Sequence, residues 1–73
     1  MKARYYHDAT RGKYHAVLHH GPGSWSAVLD LDPAGGPPAT YTGALHSLDA
    51  ARRVITHLAP DAVELPGLPA WLR

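Results

Sequence analysis

The sequence predicts an α+β fold: an antiparallel β-meander of three to four strands, packed against one α-helix in the C-terminal half and followed by an extended Pro-rich tail. Three observations predict it. Polar and apolar residues alternate over Lys13–His19 and again over Ser24–Leu31, on either side of His20-Gly-Pro-Gly23, which is the pattern of a β-hairpin. After them Leu48, Ala51, Val54, Ile55 and Leu58 recur at helical spacing, within a roughly 120° arc. Beyond Pro60 the apolar residues are cut into short groups by Pro and Gly, so no further helix of any length follows.

In chain order, residues 2–7 read as a short first strand and Asp8-Ala-Thr-Arg-Gly-Lys13 as a turn. In the second strand Tyr14, Ala16 and Leu18 share one face and His15, Val17 and His19 the other. In the third, Trp25, Ala27, Leu29 and Leu31 oppose Ser24, Ser26, Val28 and Asp30. Asp32-Pro-Ala-Gly-Gly-Pro-Pro-Ala39 reads as a mobile flap, since prolines remove donors and glycines loosen the backbone. Ala39–Leu45 is the next expected strand, with Tyr41, Gly43 and Leu45 continuing the face of Trp25 and Leu29. Ser47 is an N-cap, Asp49 sits in the first turn where the helix dipole favours an anion, and Ala50 leaves the capping box incomplete. Asp49 and Arg53 are spaced for an i,i+4 pair worth about 0.3 kcal/mol. Arg52 and Arg53 read as the solvated flank of the helix. These elements divide the chain into a domain, residues 1–60, and a tail, residues 61–73.

Seventy-three residues make one domain. A chain this short buries about 60–65% of its unfolded surface, which leaves a margin of a few kcal/mol. The absence of cysteine excludes disulfides and thiolate zinc sites and favours a reducing cytoplasm. No apolar run reaches the ~20 residues of a membrane span, and the N-terminus lacks the apolar core of a signal peptide. Formal charge is +1, too little to imply nucleic acid by itself. It is unevenly placed, however: Lys2, Arg4, Arg11 and Lys13 face Asp8 alone in the first 28 residues, and the rest of the chain is net acidic.

Catalytic chemistry finds little footing. Six histidines are present, but His15 and His19 on one strand face lie ~13 Å apart and do not chelate one ion together. Ser24, Ser26 and Ser47 lack a nucleophile-elbow context. Asp30 and Asp32 on one strand face could hold a cation or act as acid and base, and read more simply as charge that keeps an edge soluble. Gly35-Gly36 has neither Lys nor a following helix and cradles no phosphate. No enzyme, metal or cofactor is expected.

Two binding readings remain. Leu65, Leu68, Trp71 and Leu72 in the tail are anchor-type residues for a protein partner; the competing reading is that they cover the chain's own core. Arg4, Arg11, Lys13, His15 and His19, with Ser26 on the same polar sheet face and Tyr5 and Tyr6 to stack, are candidates for DNA or RNA contact. Asp30 and Asp32 would oppose phosphate there.

The layout of Ala16–Leu58 resembles HicB-type antitoxins: a hairpin with Trp25-Ser-Ala-Val-Leu, a Leu-Asp-Leu-Asp-Pro33 run, then Gly43-x-x-x-Ser47-x-x-x-Ala51 opening a helix. That resemblance implies a partial RNase-H-like sheet and a role in masking a small toxin. Gly43-Ala-Leu-His-Ser47-Leu-Asp-Ala-Ala51 is also similar to the turn of phage integrase arm-binding and plant ethylene-response-factor domains, which implies a sheet that reads DNA. The acidic pair that precedes the helix alanine in the antitoxins is absent, and the long Pro/Gly flap departs from the DNA readers.

The sequence therefore leads to a small, cytoplasmic, non-enzymatic regulatory or inhibitory protein that binds another protein, with a phage or mobile element as candidate source. A sheet-based DNA- or RNA-binding module is the alternative. A homo-oligomer through the tail or a strand edge stays open.

Overall fold

The computed structural model of the chain describes residues 2–41 and 45–72. Gly43, expected to extend a strand and to open the helix turn, lies outside the described residues. The elements are β1 (Lys2–Asp8), β2 (Lys13–Gly21), β3 (Ser24–Leu31), β4 (Ala39–Tyr41), α1 (Leu48–Leu58), β5 (Val63–Glu64) and a 3-10 turn at Ala70–Leu72. They form an antiparallel five-stranded sheet, order β4-β3-β2-β1-β5, with one helix packed on it.

The β2–β3 hairpin closes through Pro22-Gly23, with Gly21 opposite Ser24 and Gly23 at φ 66. Proline presets the first central residue and glycine supplies the positive φ of the second. His20 is an extra residue bulged from β2, because His19 faces Trp25 and Gly21 faces Ser24. A second bulge lies in β3. Tyr14 faces Leu31 and Ala16 faces Val28, so β3 spends three residues where β2 spends two. Asp30 takes up the difference at φ 60, a left-handed conformation that Asp tolerates better than most residues.

The two bulges correct one expectation each, the Asp30 bulge the first and the His20 bulge the second. Leu31 leaves the face of Trp25, Ala27 and Leu29 and joins Ala16 and Val28 on the other side. The polar face expected to carry Lys13, His15, His19 and Ser26 together is also divided. Val17 faces Ala27 across the hairpin and both enter the core under the helix, so Lys13, His15 and His19 point to the helix side. Ser26 faces Leu18 on the opposite side.

The helix starts where its cap predicts. Ser47 is extended (φ −148) and its hydroxyl accepts from the Ala50 N–H at 3.1 Å. Ala51 and Ile55 are buried with Tyr6, Val17, Ala27 and Leu29, and Trp25, Leu45, Leu48 and Val54 pack around them. Leu58 falls within the same arc yet is 43% exposed. The helix lies over β2 and β3, and its last turn brings Ala59 inside in place of Leu58. Leu45 is not strand; its carbonyl accepts from the Trp25 N–H at 3.0 Å and ties the helix approach to the start of β3.

The segment after Pro60 contributes to the sheet. Val63 and Glu64 pair with His7 and Tyr6, and the Leu65 N–H donates to the Tyr5 carbonyl at 2.7 Å. Arg52 is not a solvated flank either. Its Nε donates to the Tyr6 hydroxyl at 3.2 Å and its Nη2 to Glu64 Oε1 at 2.8 Å, while the Tyr6 hydroxyl donates to the same oxygen at 3.0 Å. The guanidinium thus clamps β5 and β1 to the helix. It holds the Glu64 carboxyl below its usual range, and burial pushes the Tyr6 phenol up.

Candidate functional site

A β-sheet has two faces, and α1 covers one. The other carries Tyr5 from β1, Ala16 and Leu18 from β2, and Val28 and Leu31 from β3, which with Leu72 line an open apolar trench of about 190 Å³. The chain itself supplies the partial cover. After Leu65, residues 66–72 run back as a strap over this second face. Trp71 tilts on Tyr14 (ring centroids 5.2 Å, 60°), and Tyr14 stacks on His7 (4.5 Å, 23°). Ala16 and Val28 are buried beneath, but Leu68 remains 40% exposed and Trp71 and Leu72 36% each. Val63 faces His7 on β1, hence the same side, and is exposed. The four tail residues expected to meet a partner, Leu65, Leu68, Trp71 and Leu72, therefore belong to one region. Leu65, Trp71 and Leu72 also contact the chain's own sheet.

Among the described residues, the three basic candidates Arg4, Arg11 and Lys13 are each paired with a carboxylate. Arg4 Nη1 lies 3.6 Å from Glu64 Oε2, Arg11 Nη2 donates to Asp30 Oδ1 at 3.3 Å, and Lys13 Nζ donates to Asp32 Oδ2 at 2.7 Å. Lys13 and the Ala34 N–H together hold the Asp32 carboxyl below its usual range. Each pair is partly exposed and screened by solvent, too weak to hold the fold. Each nevertheless supplies a carboxylate that a phosphate would have to displace. Asp30 and Asp32 thus act as counter-ions of the first hairpin rather than as a carboxylate pair.

His15 is enclosed, at 0% exposure. Its Nδ1 accepts from the Asp30 N–H at 3.1 Å, which places the ring proton on Nε2. Nε2 is 4.0 Å from Asp8 Oδ2 and has no hydrogen-bond partner among the described residues. Asp8 is buried too, and its Oδ1 accepts from the Arg11 N–H at 3.3 Å. Burial pushes the His15 pKa down, against the pull of Asp30 and Asp8. A side chain so placed positions the bulge and offers nothing to a nucleic acid. His19 stacks on Trp25 (4.4 Å, 20°). His20 Nε2 and Ser26 Oγ are 2.8 Å apart, but Ser26 is buried and its oxygen is shielded from a substrate. No group of three His, Asp or Glu side chains is arranged for a metal among the described residues.

Sequence reasoning overlooked Leu18, Val28 and Leu31 as parts of a surface, and offered Tyr5 only for stacking on nucleic acid. The signal was present: β2 carries apolar residues on both faces, Val17 on one and Ala16 and Leu18 on the other, which is the mark of a sheet covered twice. Comparison with family models, curated proteins and solved structures gives no match. No described helix is long and apolar enough to cross a membrane.

Proposed function

We propose that this chain is a non-enzymatic regulatory or inhibitory protein that binds another protein through the strapped second face of its sheet. The observation that supports this reading is the incompletely covered trench, with Leu68, Trp71, Leu72 and Val63 exposed beside it. Aromatic and aliphatic anchors around a concave apolar surface are the usual centre of an interface. The fitting partner presents an apolar segment with a large side chain to seat in the trench. Masking of a small toxin is the form of this reading that the HicB resemblance implies. Nucleic acid is disfavoured because Arg4, Arg11 and Lys13 are engaged by carboxylates and His15 is enclosed.

Photo-crosslinking tests the reading. A photoreactive residue in place of Leu68 is expected to give one defined adduct in cells, and one in place of the exposed Asp49 on α1 is expected to give none. The Leu68 adduct should vanish when Trp71→Ser is added. Equal adducts from both positions, or none from Leu68, would overturn it.

A further inference from the structure

We infer that the strap is exchangeable between copies: the second face of one chain accepts the Pro69–Leu72 turn of another, giving a reciprocal dimer. This rests on the functional reading above and names a second copy of the chain as one partner of that surface.

The attachment of the strap carries the argument. Among the described residues its last backbone hydrogen bond to the sheet is the Leu65 N–H to the Tyr5 carbonyl, at 2.7 Å. Beyond that, the described backbone bond is Leu72 N–H to the Pro69 carbonyl at 3.0 Å, internal to the turn itself. The turn is therefore held by side chains, with Trp71 on Tyr14 and Leu72 at the trench. The hinge is exposed Pro66-Gly67, and no atom beyond the adjoining residues lies within 4 Å of where a Gly67 side chain would start. A short segment held by side chains beyond an open hinge is a unit that copies can trade.

The structure also shows what the face accepts, because the strap occupies it. A second copy presents the same turn, so complementarity between face and strap needs no new chemistry. At low concentration a chain's own strap wins, since tethering gives it an effective concentration of order millimolar. Exchange gains something closure does not. Seven residues reach at most about 25 Å, so traded straps draw the two second faces together. That brings Leu68 and Val63, exposed in the single chain, into the contact. The arrangement is isologous and closes at two.

The test uses the intact chain. Sedimentation from about 5 µM up to about 1 mM, the order of the tethered concentration, is expected to show a rising share of twice the 7.9 kDa monomer mass. At the upper end, a mixture of isotope-labelled and unlabelled chains should give intermolecular contacts from Leu72 methyls to Val28 and Leu31 methyls. Trp71→Ser should remain monomeric throughout with an unchanged far-ultraviolet spectrum. A chain that stays monomeric at the upper limit, a dimer whose Leu72 contacts are all intramolecular, or a dimer that survives Trp71→Ser would overturn the inference. Failure of exchange alone leaves a Leu68 adduct to a different protein in place. Failure of the functional reading removes that adduct whatever the mass.

Discussion

Acidification should loosen this protein through one residue. His15 is fully buried and its Nδ1 accepts the Asp30 N–H, so a second proton has no place on the ring without breaking that bond. The groups facing the imidazole are Asp8, Asp30 and Arg11; the two carboxylates favour the cation and Arg11 opposes it, but burial outweighs them and depresses the pKa. A folded-state pKa below the unfolded one means that the unfolded chain binds more protons once pH falls below the ordinary 6.5. Stability is then lost as pH drops through that value, and the loss stops only when the folded ring protonates. Between about pH 7.5 and about pH 5.5 the loss is on the order of 1 kcal/mol at most. Urea unfolding at the two pH values measures this. His15→Asn places an amide oxygen where Nδ1 accepts and does not titrate in this range. It is expected to be less stable at both pH values, through lost packing, and to lack that pH-dependent difference. An equal pH response in both proteins, or a wild-type chain more stable at the lower pH, would refute the reasoning; the latter would mean an imidazolium paired with Asp8.

Ile55→Ala removes a buried branched side chain from the centre of the helix–sheet contact and should cost about 2–5 kcal/mol, enough to unfold much of the population by circular dichroism. At Asp30, φ 60 suits glycine: Asp30→Gly should leave the urea midpoint nearly unchanged, relief of strain offsetting the Arg11 pair, whereas Asp30→Val should cost about 1–2 kcal/mol. Gel shifts of duplex DNA and of RNA should show no salt-sensitive retention at micromolar protein, because Arg4, Arg11 and Lys13 are already paired.

Much of the architecture was legible because local signals carried it. Pro22-Gly23 announces a tight turn, Ser47 a cap, and the spacing from Leu48 to Ile55 a helix stripe; each is set within a few residues, and each forms as expected. What sequence reading missed depends on register. One extra residue at Asp30 transfers Leu31 to the other face, and strict alternation cannot foresee a bulge. His15 read as polar surface because its burial depends on that bulge, where its Nδ1 accepts from the Asp30 N–H. The tail residues read as anchors, but β5 is two residues long and pairs at long range, Val63 with His7 and Glu64 with Tyr6, too short to leave a period. The strap's seat on Tyr14 and the trench is a tertiary contact between regions whose local patterns do not mention each other.

The sheet has two apolar faces, one roofed by a helix and one by a strap that leaves part of it open. Hydroxyl-radical footprinting of the intact chain beside a full-length Trp71→Ser, Leu72→Ser variant measures this residue by residue. Oxidation of Tyr14, Leu18 and Leu31 should rise in the variant while Trp25, Val54 and Ile55 keep their original rates. Unchanged Leu18 and Leu31, or a joint rise at Ile55, would contradict it.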